Sequence, residues 1–96
     1  MVERIRQIWA ESTWLLIEVI GVDSEIEQTL ARLQAALDDL DAVTDPSDDQ
    51  VAVVFEVLAV LQSKLLGTLV RLPKQHQPLL ENLTDRIDIF LFHHRI

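Results

Sequence analysis

The sequence predicts an all-α protein, an antiparallel up-down-up-down four-helix bundle forming a single domain over residues 1–96. Apolar residues recur at spacings of three and four over most of the chain, which is the spacing of a helix face. Glycine (2 residues) and proline (3 residues) are rare, and Gly21 and the three prolines fall at the breaks in that pattern. The breaks divide the chain into four predicted helices, 3–20, 24–43, 47–72 and 78–95, joined by short turns that favour antiparallel neighbours.

The first predicted helix carries two apolar stripes. Its main stripe is expected in the core and includes Ser12 among apolar residues: Ile5, Ile8, Trp9, Leu15, Leu16, Val19 and Ile20. A second stripe, Ala10, Trp14 and Ile17, lies on another side of the helix. Gly21 predicts the end of the helix, because glycine adopts positive φ angles at little cost.

The second predicted helix has a single apolar face. Ser24 and Glu27 have the spacing of a capping box at its start. Its core positions alternate in spacings of four and three, which is typical of the seam of a helical bundle: Ile26, Leu30, Leu33, Leu37 and Leu40. The sequence Thr44-Asp45-Pro46 predicts the turn that follows.

The third predicted helix is the most apolar and is expected to lie at the centre of the bundle. Ser47 and Gln50 predict a capping box at its start, and Pro73 predicts its end at Leu72. Its apolar face covers about half of the circumference: Val51, Val54, Phe55, Leu58, Leu61, Leu65, Leu66, Leu69 and Leu72. A buried strand competes over 51–60, but no second strand exists to pair with it.

The fourth predicted helix begins with Pro78 and again carries two stripes. Leu80, Leu83, Ile87 and Phe90 form the seam that faces the core, and Ile89, Phe92 and Ile96 form the second stripe. In the up-down-up-down topology, Arg4, Arg6 and Arg95 share one pole with the acidic end of the second helix. The other pole brings Arg71, Lys74 and His76 to Asp23, Glu25 and Glu27.

The overall charge disfavours several classes of partner. Eight basic residues against 16 acidic ones give a net charge of −8, which opposes binding to nucleic acid or to anionic membranes. Charges within 51–72 argue against a membrane span. The chain has no cysteine, which excludes disulfides and thiolate sites and fits a reducing compartment. No secretion signal is recognisable at the N-terminus, so we expect a cytoplasmic protein.

An acidic cluster lies around the turn between the second and third predicted helices: Asp38, Asp39, Asp41, Asp45, Asp48 and Asp49. Acids in the last turns of a helix oppose its dipole, so we expect Asp38, Asp39 and Asp41 to reduce local stability. The cluster is interpreted either as a solvated helix end partly matched by nearby arginines or as a docking patch for a basic protein surface. It lacks the pattern of a calcium loop, which leaves a weak cation site as a third interpretation.

Isolated polar residues offer little chemistry. Glu56 interrupts an apolar run but shares its side of the helix with Ser63 and Gly67, so we expect it to reach solvent; Glu18 is a second acid of this kind. His93 and His94 are adjacent and point about 100° apart, which is unsuitable for shared metal ligation. No catalytic residue, metal site or cofactor is predicted.

The second stripes exceed what the core of a bundle requires and predict an interaction surface. Its residues are Trp14, Ile17, Val53, Val60, Ile89, Phe92 and Ile96. We expect this surface to gather on the side of the bundle away from the second helix, although irregular core packing would also account for it. The sequence therefore predicts a non-enzymatic protein–protein interaction module, an adaptor, assembly factor or regulator acting as a homodimer. The alternative is a bundle that binds a small apolar ligand or cofactor.

Overall fold

Four helices and no strands make up the part of the chain that the structure describes. The structure is a computed structural model that describes residues 2–94 and their side chains, except the side chain of His94. Helix α1 covers Val2–Leu15 and continues as a π-helix over Leu16–Ile20. The others are α2 (Ser24–Asp41), α3 (Asp48–Leu66) and α4 (Gln77–His94), with one 3-10 turn at Leu69–Arg71 between α3 and α4.

The helices form a four-helix bundle in which each packs on its neighbour in chain order and α4 returns to α1. The α2–α3 contact is the most extensive, and the α1–α4 contact is the sparsest of the four. The rings of Phe55 and Phe90 lie 5.6 Å apart, while Gln62 of α3 donates to the carbonyl oxygen of Thr84. Later positions on α3 thus meet earlier positions on α4, which supports the antiparallel interpretation.

The core consists largely of the predicted seams. Every predicted seam residue of α2 and α4 is buried, together with Ile5, Ile8, Leu15 and Leu16 of the first helix. Two positions on α3 differ from the prediction. Leu66 was expected inside but is 46% exposed, and Val57, which was not assigned to the face, is 2% exposed. The apolar face of α3 is so broad that its pattern does not fix which edge turns inward.

The caps confirm one prediction and correct another. Ser47 and Gln50 form the predicted capping box, with Gln50 N donating to Ser47 Oγ at 3.2 Å and Ser47 N donating to Gln50 Oε1 at 2.9 Å. At the start of α2 the cap is Asp23 rather than Ser24, because Asp23 Oδ1 accepts from Ile26 N at 3.2 Å. Arg71 also contacts the Asp23 carboxylate at 3.3 Å. This cross-helix ion pair favours the aspartate over the neighbouring serine.

The predicted end of the third helix at Leu72 is wrong, since α3 ends at Leu66. Both the hydroxyl and the backbone N–H of Thr68 donate to the carbonyl oxygen of Leu65, at 2.7 and 3.0 Å. These bonds tighten the backbone into the 3-10 turn before Pro73 is reached. The other boundaries lie within about two residues of the predictions, and Arg95 lies outside the described residues.

The end of the first helix was predicted at the correct residue, Gly21, but its π-helical last turn was not predicted. Gly21 N donates to Leu16 O at 2.8 Å, five residues back, which closes a wide π-helical turn. Gly21 has φ 88° and ψ −156°, an extended conformation that only glycine adopts readily. The wide turn keeps both Leu15 and Leu16 in the core.

The segment Asp48–Arg71 is long and apolar enough to cross a membrane, judged by its length and composition. In the bundle, 33% of its most apolar window is buried. The central helix of a soluble bundle passes the same test.

Candidate interaction surface

The apolar residues predicted to form an interaction surface are exposed wherever the structure describes them. Trp14 is 51%, Ile17 68%, Ile89 56% and Phe92 66% exposed, and Val53 and Val60 are also exposed. Ile96 lies outside the described residues. Their exposure agrees with the interface hypothesis. That a second protein surface covers these side chains remains a prediction.

These residues do not gather on the side away from α2, and that expectation is wrong. Ile17 lines a depression between α1 and α2, beside Leu30. Val60 lines another between α2 and α3, beside Arg32. A helical pattern fixes the angle between two stripes on one helix, but the rotation of each helix within the bundle decides which neighbour a stripe borders.

Trp14 and Ile89 both border the seam between α1 and α4, the loosest of the bundle. Two cavities lie along this seam. The larger, here called the α1/α4 groove, has a volume of about 330 Å³ and is lined by Arg4, Gln7, Ile8, Arg86, Ile89, Phe90 and His93. The smaller, of about 160 Å³, is lined by Glu11, Trp14, Leu15, Leu79, Asn82, Leu83 and Arg86. The seam therefore offers an apolar floor that neighbouring helices leave partly uncovered.

Arg86 is held at the middle of the seam. Its Nη1 atom lies 2.7 Å from Glu11 Oε2, and its Nε–H donates to Asn82 Oδ1 at 2.9 Å. Arg4 lies towards one end of the seam and forms no ion pair with any described residue. The α1/α4 groove thus combines two guanidinium groups, of Arg4 and Arg86, with the imidazole of His93 in a chain of net charge −8.

The acidic cluster is partly neutralised by α1. Arg6 contacts both Asp38, at 3.0 Å, and Asp41. Hydrogen bonds to Asp41 and then Asp38 raise the pKa of Arg6 above its ordinary value. Of the arginines expected at this pole, Arg6 is confirmed as a partner, whereas Arg4 borders the α1/α4 seam.

The remaining acids of the cluster are open to a partner. Asp39 and Asp45 are exposed and form no ion pair with a described residue, and Asp48 and Asp49 occupy the first turn of α3, where the helix dipole favours them. Among the described residues, no group of three or more histidine and acidic side chains could hold a metal ion. The cluster thus divides into two paired acids, Asp38 and Asp41, and four acids without an ion pair to a described residue.

The buried polar groups of the core are engaged in local hydrogen bonds. Each buried hydroxyl donates to a carbonyl oxygen of its own helix or turn: Ser12, Thr29, Thr68 and Thr84. Glu56 and Glu18 are both exposed, as expected for Glu56 from its position beside Ser63. These hydroxyls serve the backbone, and the two isolated acids lie in solvent rather than in a pocket.

No protein-family model matches this chain, and neither a curated protein nor a solved structure shows significant similarity to it. A function must therefore be argued from the surface itself.

Proposed function

We propose that this chain is a non-enzymatic protein–protein interaction module that acts as a homodimer through the exposed face of α1 and α4. The observation that carries the proposal is the exposure of Trp14, at 51%, beside the sparsest helix contact of the bundle. Large aromatic side chains that are exposed in the free protein and become buried on association dominate the energy of many interfaces.

The apolar character of the face supports association with a second protein surface. Ile89 and Leu79 are each about half exposed on α4, on the same side of the bundle as Trp14. The core beneath them is already filled by Leu15, Leu83 and Phe90. These exposed side chains are therefore surplus to the core, as expected for an interface.

Sedimentation velocity tests the proposal. At tens of micromolar the wild-type chain should sediment as a dimer, with twice its mass of 11.0 kDa. The substitution Trp14→Glu should produce a folded monomer, because it places a charge where apolar surface is buried. Val70→Glu is the matched control, since Val70 is 87% exposed but lies in the 3-10 turn and lines neither cavity of the α1–α4 seam. A wild-type chain that remains monomeric throughout this range contradicts the homodimer.

The four unpaired acids of the cluster support a second contact, with a basic protein surface. Asp39, Asp45, Asp48 and Asp49 leave a concentration of negative charge at one pole that Arg6 does not neutralise. A module of this kind would join its own copy on one face and a basic partner at the pole. We place it in the cytoplasm, in line with its lack of cysteine.

A small-ligand function is the second candidate, favoured by the α1/α4 groove. A volume of about 330 Å³ with Ile8 and Phe90 in its lining and Arg4 and Arg86 at its rim suits an apolar molecule that carries a carboxylate. Titration with a medium-chain fatty acid distinguishes the two functions. A monomeric chain that binds the fatty acid, and loses that binding in Arg4→Glu, would assign the groove to a ligand.

A further inference from the structure

One face of the bundle, along the α1–α4 seam, carries residues at regular helical spacing on both helices. Positions on α1 and its π-helical extension recur at spacings of three and four, which places them on one side of the helix: Arg4, Gln7, Glu11, Trp14 and Glu18. The same spacing recurs on α4: Leu79, Asn82, Arg86, Ile89 and His93. All of these except Glu18 line the two cavities of the α1–α4 seam. We call these ten residues the α1/α4 face.

We propose that two copies pack together through their α1/α4 faces. They are related by a twofold axis that runs perpendicular to the helices at the level of Glu11, so that Trp14 of each copy docks at the α1/α4 groove of the other. In the same arrangement, Arg4 of each copy pairs with Glu18 of the other. This inference rests on the proposed homodimer and specifies its geometry.

One twofold axis accounts for both the docking of Trp14 at the groove and the pairing of Arg4 with Glu18. With α1 antiparallel to α1 of the second copy, residues at equal distances before and after Glu11 lie opposite each other. Ile8 and Trp14 each lie three residues from Glu11, about 4.5 Å along the helix. Arg4 lies seven residues before Glu11, about 10.5 Å along the α-helix. Glu18 lies seven residues after Glu11 at a slightly shorter distance, because its last turn is π-helical. The position that brings Trp14 to Ile8, in the lining of the groove, therefore also brings Arg4 to Glu18.

The charges on α1 favour an antiparallel arrangement of the two copies over a parallel one. Arg4 and Glu18 are exposed, and neither forms an ion pair with a described residue. They lie towards opposite ends of the α1/α4 face. An axis parallel to the helices would place Arg4 against Arg4 and Glu18 against Glu18. The perpendicular axis makes the face complementary to itself, as an isologous interface requires.

The groove has the chemistry to receive an indole. Ile8, Phe90 and Ile89 provide apolar surface, and Arg4 and Arg86 stand at the rim, where a guanidinium can stack on an aromatic face. Glu11 and Arg86 of both copies meet around the axis, where each acid has a base beside it. The bundle measures 43 × 25 × 18 Å, so its broad sides have room for the roughly 800 Å² per partner of a standard interface.

A charge exchange within one chain tests the register. Arg4→Glu or Glu18→Arg alone should weaken the dimer about tenfold, because each dimer contains two such pairs. The double variant Arg4→Glu/Glu18→Arg should return the dissociation constant to within about threefold of wild type. Arg32→Glu and Glu56→Arg are the matched controls, since both residues are exposed on other helices. Both should leave dimerisation unchanged.

The absence of cysteine provides a second test. Glu11 lies beside the axis, so the Glu11→Cys chain should form a disulfide-linked dimer under mild oxidation. The Glu56→Cys chain, treated in the same way, should run as a monomer under denaturing conditions. The linkage requires the two Cα atoms to come within about 7 Å. Circular dichroism checks that every variant is folded.

The outcomes separate this inference from the function on which it rests. A double variant as weak as the single variants, or a Glu11→Cys chain that does not cross-link, would overturn the register. If Trp14→Glu still dissociates the dimer in that case, the homodimer through α1 and α4 stands. A monomeric wild-type chain would overturn both.

Discussion

The indole Nε1–H of Trp9 donates a 2.8 Å hydrogen bond to the backbone carbonyl oxygen of Leu30 and so joins α1 to α2. Trp14, on the same helix, is half exposed and borders α4 instead. The two tryptophans therefore have different roles, one within the fold and one on the proposed interface.

Substitution of each tryptophan should separate these roles. Trp9→Phe removes a partly buried hydrogen bond and some packing, and should lower the free energy of unfolding by about 1–2 kcal/mol. Trp14→Phe should change the stability of the monomer by less than about 0.5 kcal/mol. Urea denaturation below the concentration of dimer formation measures both. Equal losses at the two positions would contradict the assignment.

The paired acids Asp38 and Asp41 and the unpaired Asp39 should respond in opposite directions to neutralisation. Asp38→Asn/Asp41→Asn removes both partners of Arg6 and should lower the melting temperature. Asp39→Asn, a matched change at the neighbouring position, removes an acid that opposes the helix dipole and should raise the melting temperature slightly. Calorimetry in low salt is the appropriate measurement, because added salt screens both effects. The sequence alone predicted a gain for all three positions.

Asp23 should make the stability depend on pH below neutrality. The hydrogen bond from Ile26 N, with a further contribution from Arg71, lowers the pKa of Asp23 below its ordinary value of 3.8. A lowered folded-state pKa stabilises the fold above the unfolded-state pKa, and this contribution is lost as the pH falls through the folded-state pKa. Asp23→Ala should cost about 1 kcal/mol at pH 7 through loss of the cap.

Asp23→Asn is the control for that pH dependence. Asparagine retains the capping oxygen but cannot titrate, so the difference in stability between wild type and Asp23→Asn should shrink as the pH falls below about 4. A difference that is constant from pH 7 to pH 2 would argue against the role of the carboxylate charge.

Glu56 should contribute little to stability. It is exposed on α3 and forms no ion pair with a described residue. Glu56→Gln should therefore change the free energy of unfolding by less than about 0.5 kcal/mol. A loss above 1 kcal/mol in equilibrium denaturation would reveal a partner in the assembled state.

Local patterns in the sequence were sufficient to predict the helices and most of the core. The seam from Ile26 to Leu40 is buried as predicted, because its spacing fits a single helix face. The Ser47–Gln50 cap also follows from adjacent residues alone. Asp23 and Ser24 are both good caps, and the choice between them involves Arg71, which is distant in sequence.

The candidate site was only partly predictable. The exposed stripe residues were identified, but their distribution among three helix–helix seams depends on how each helix is rotated against its neighbours. The π-helical turn at Leu16–Ile20 and the 3-10 turn after Thr68 left no recognised signal in the apolar pattern. The group formed by Arg4, Arg86 and His93 in the α1/α4 groove was missed, because it joins residues from the two ends of the chain.

The uneven contacts around the bundle also bear on the order in which it opens. The α2–α3 pair shares the most extensive contact and is joined by a short turn, so it should form early and open last. Helix α1 is held by α2 but only weakly by α4, and should open as a unit at a lower free energy than the α2–α3 hairpin. Amide hydrogens of α1 should then exchange faster than those of α2 in the monomer. Pairing of two copies through the α1/α4 face would slow amide exchange in α1 and in α4, so assembly would complete the fold where the isolated chain is least protected.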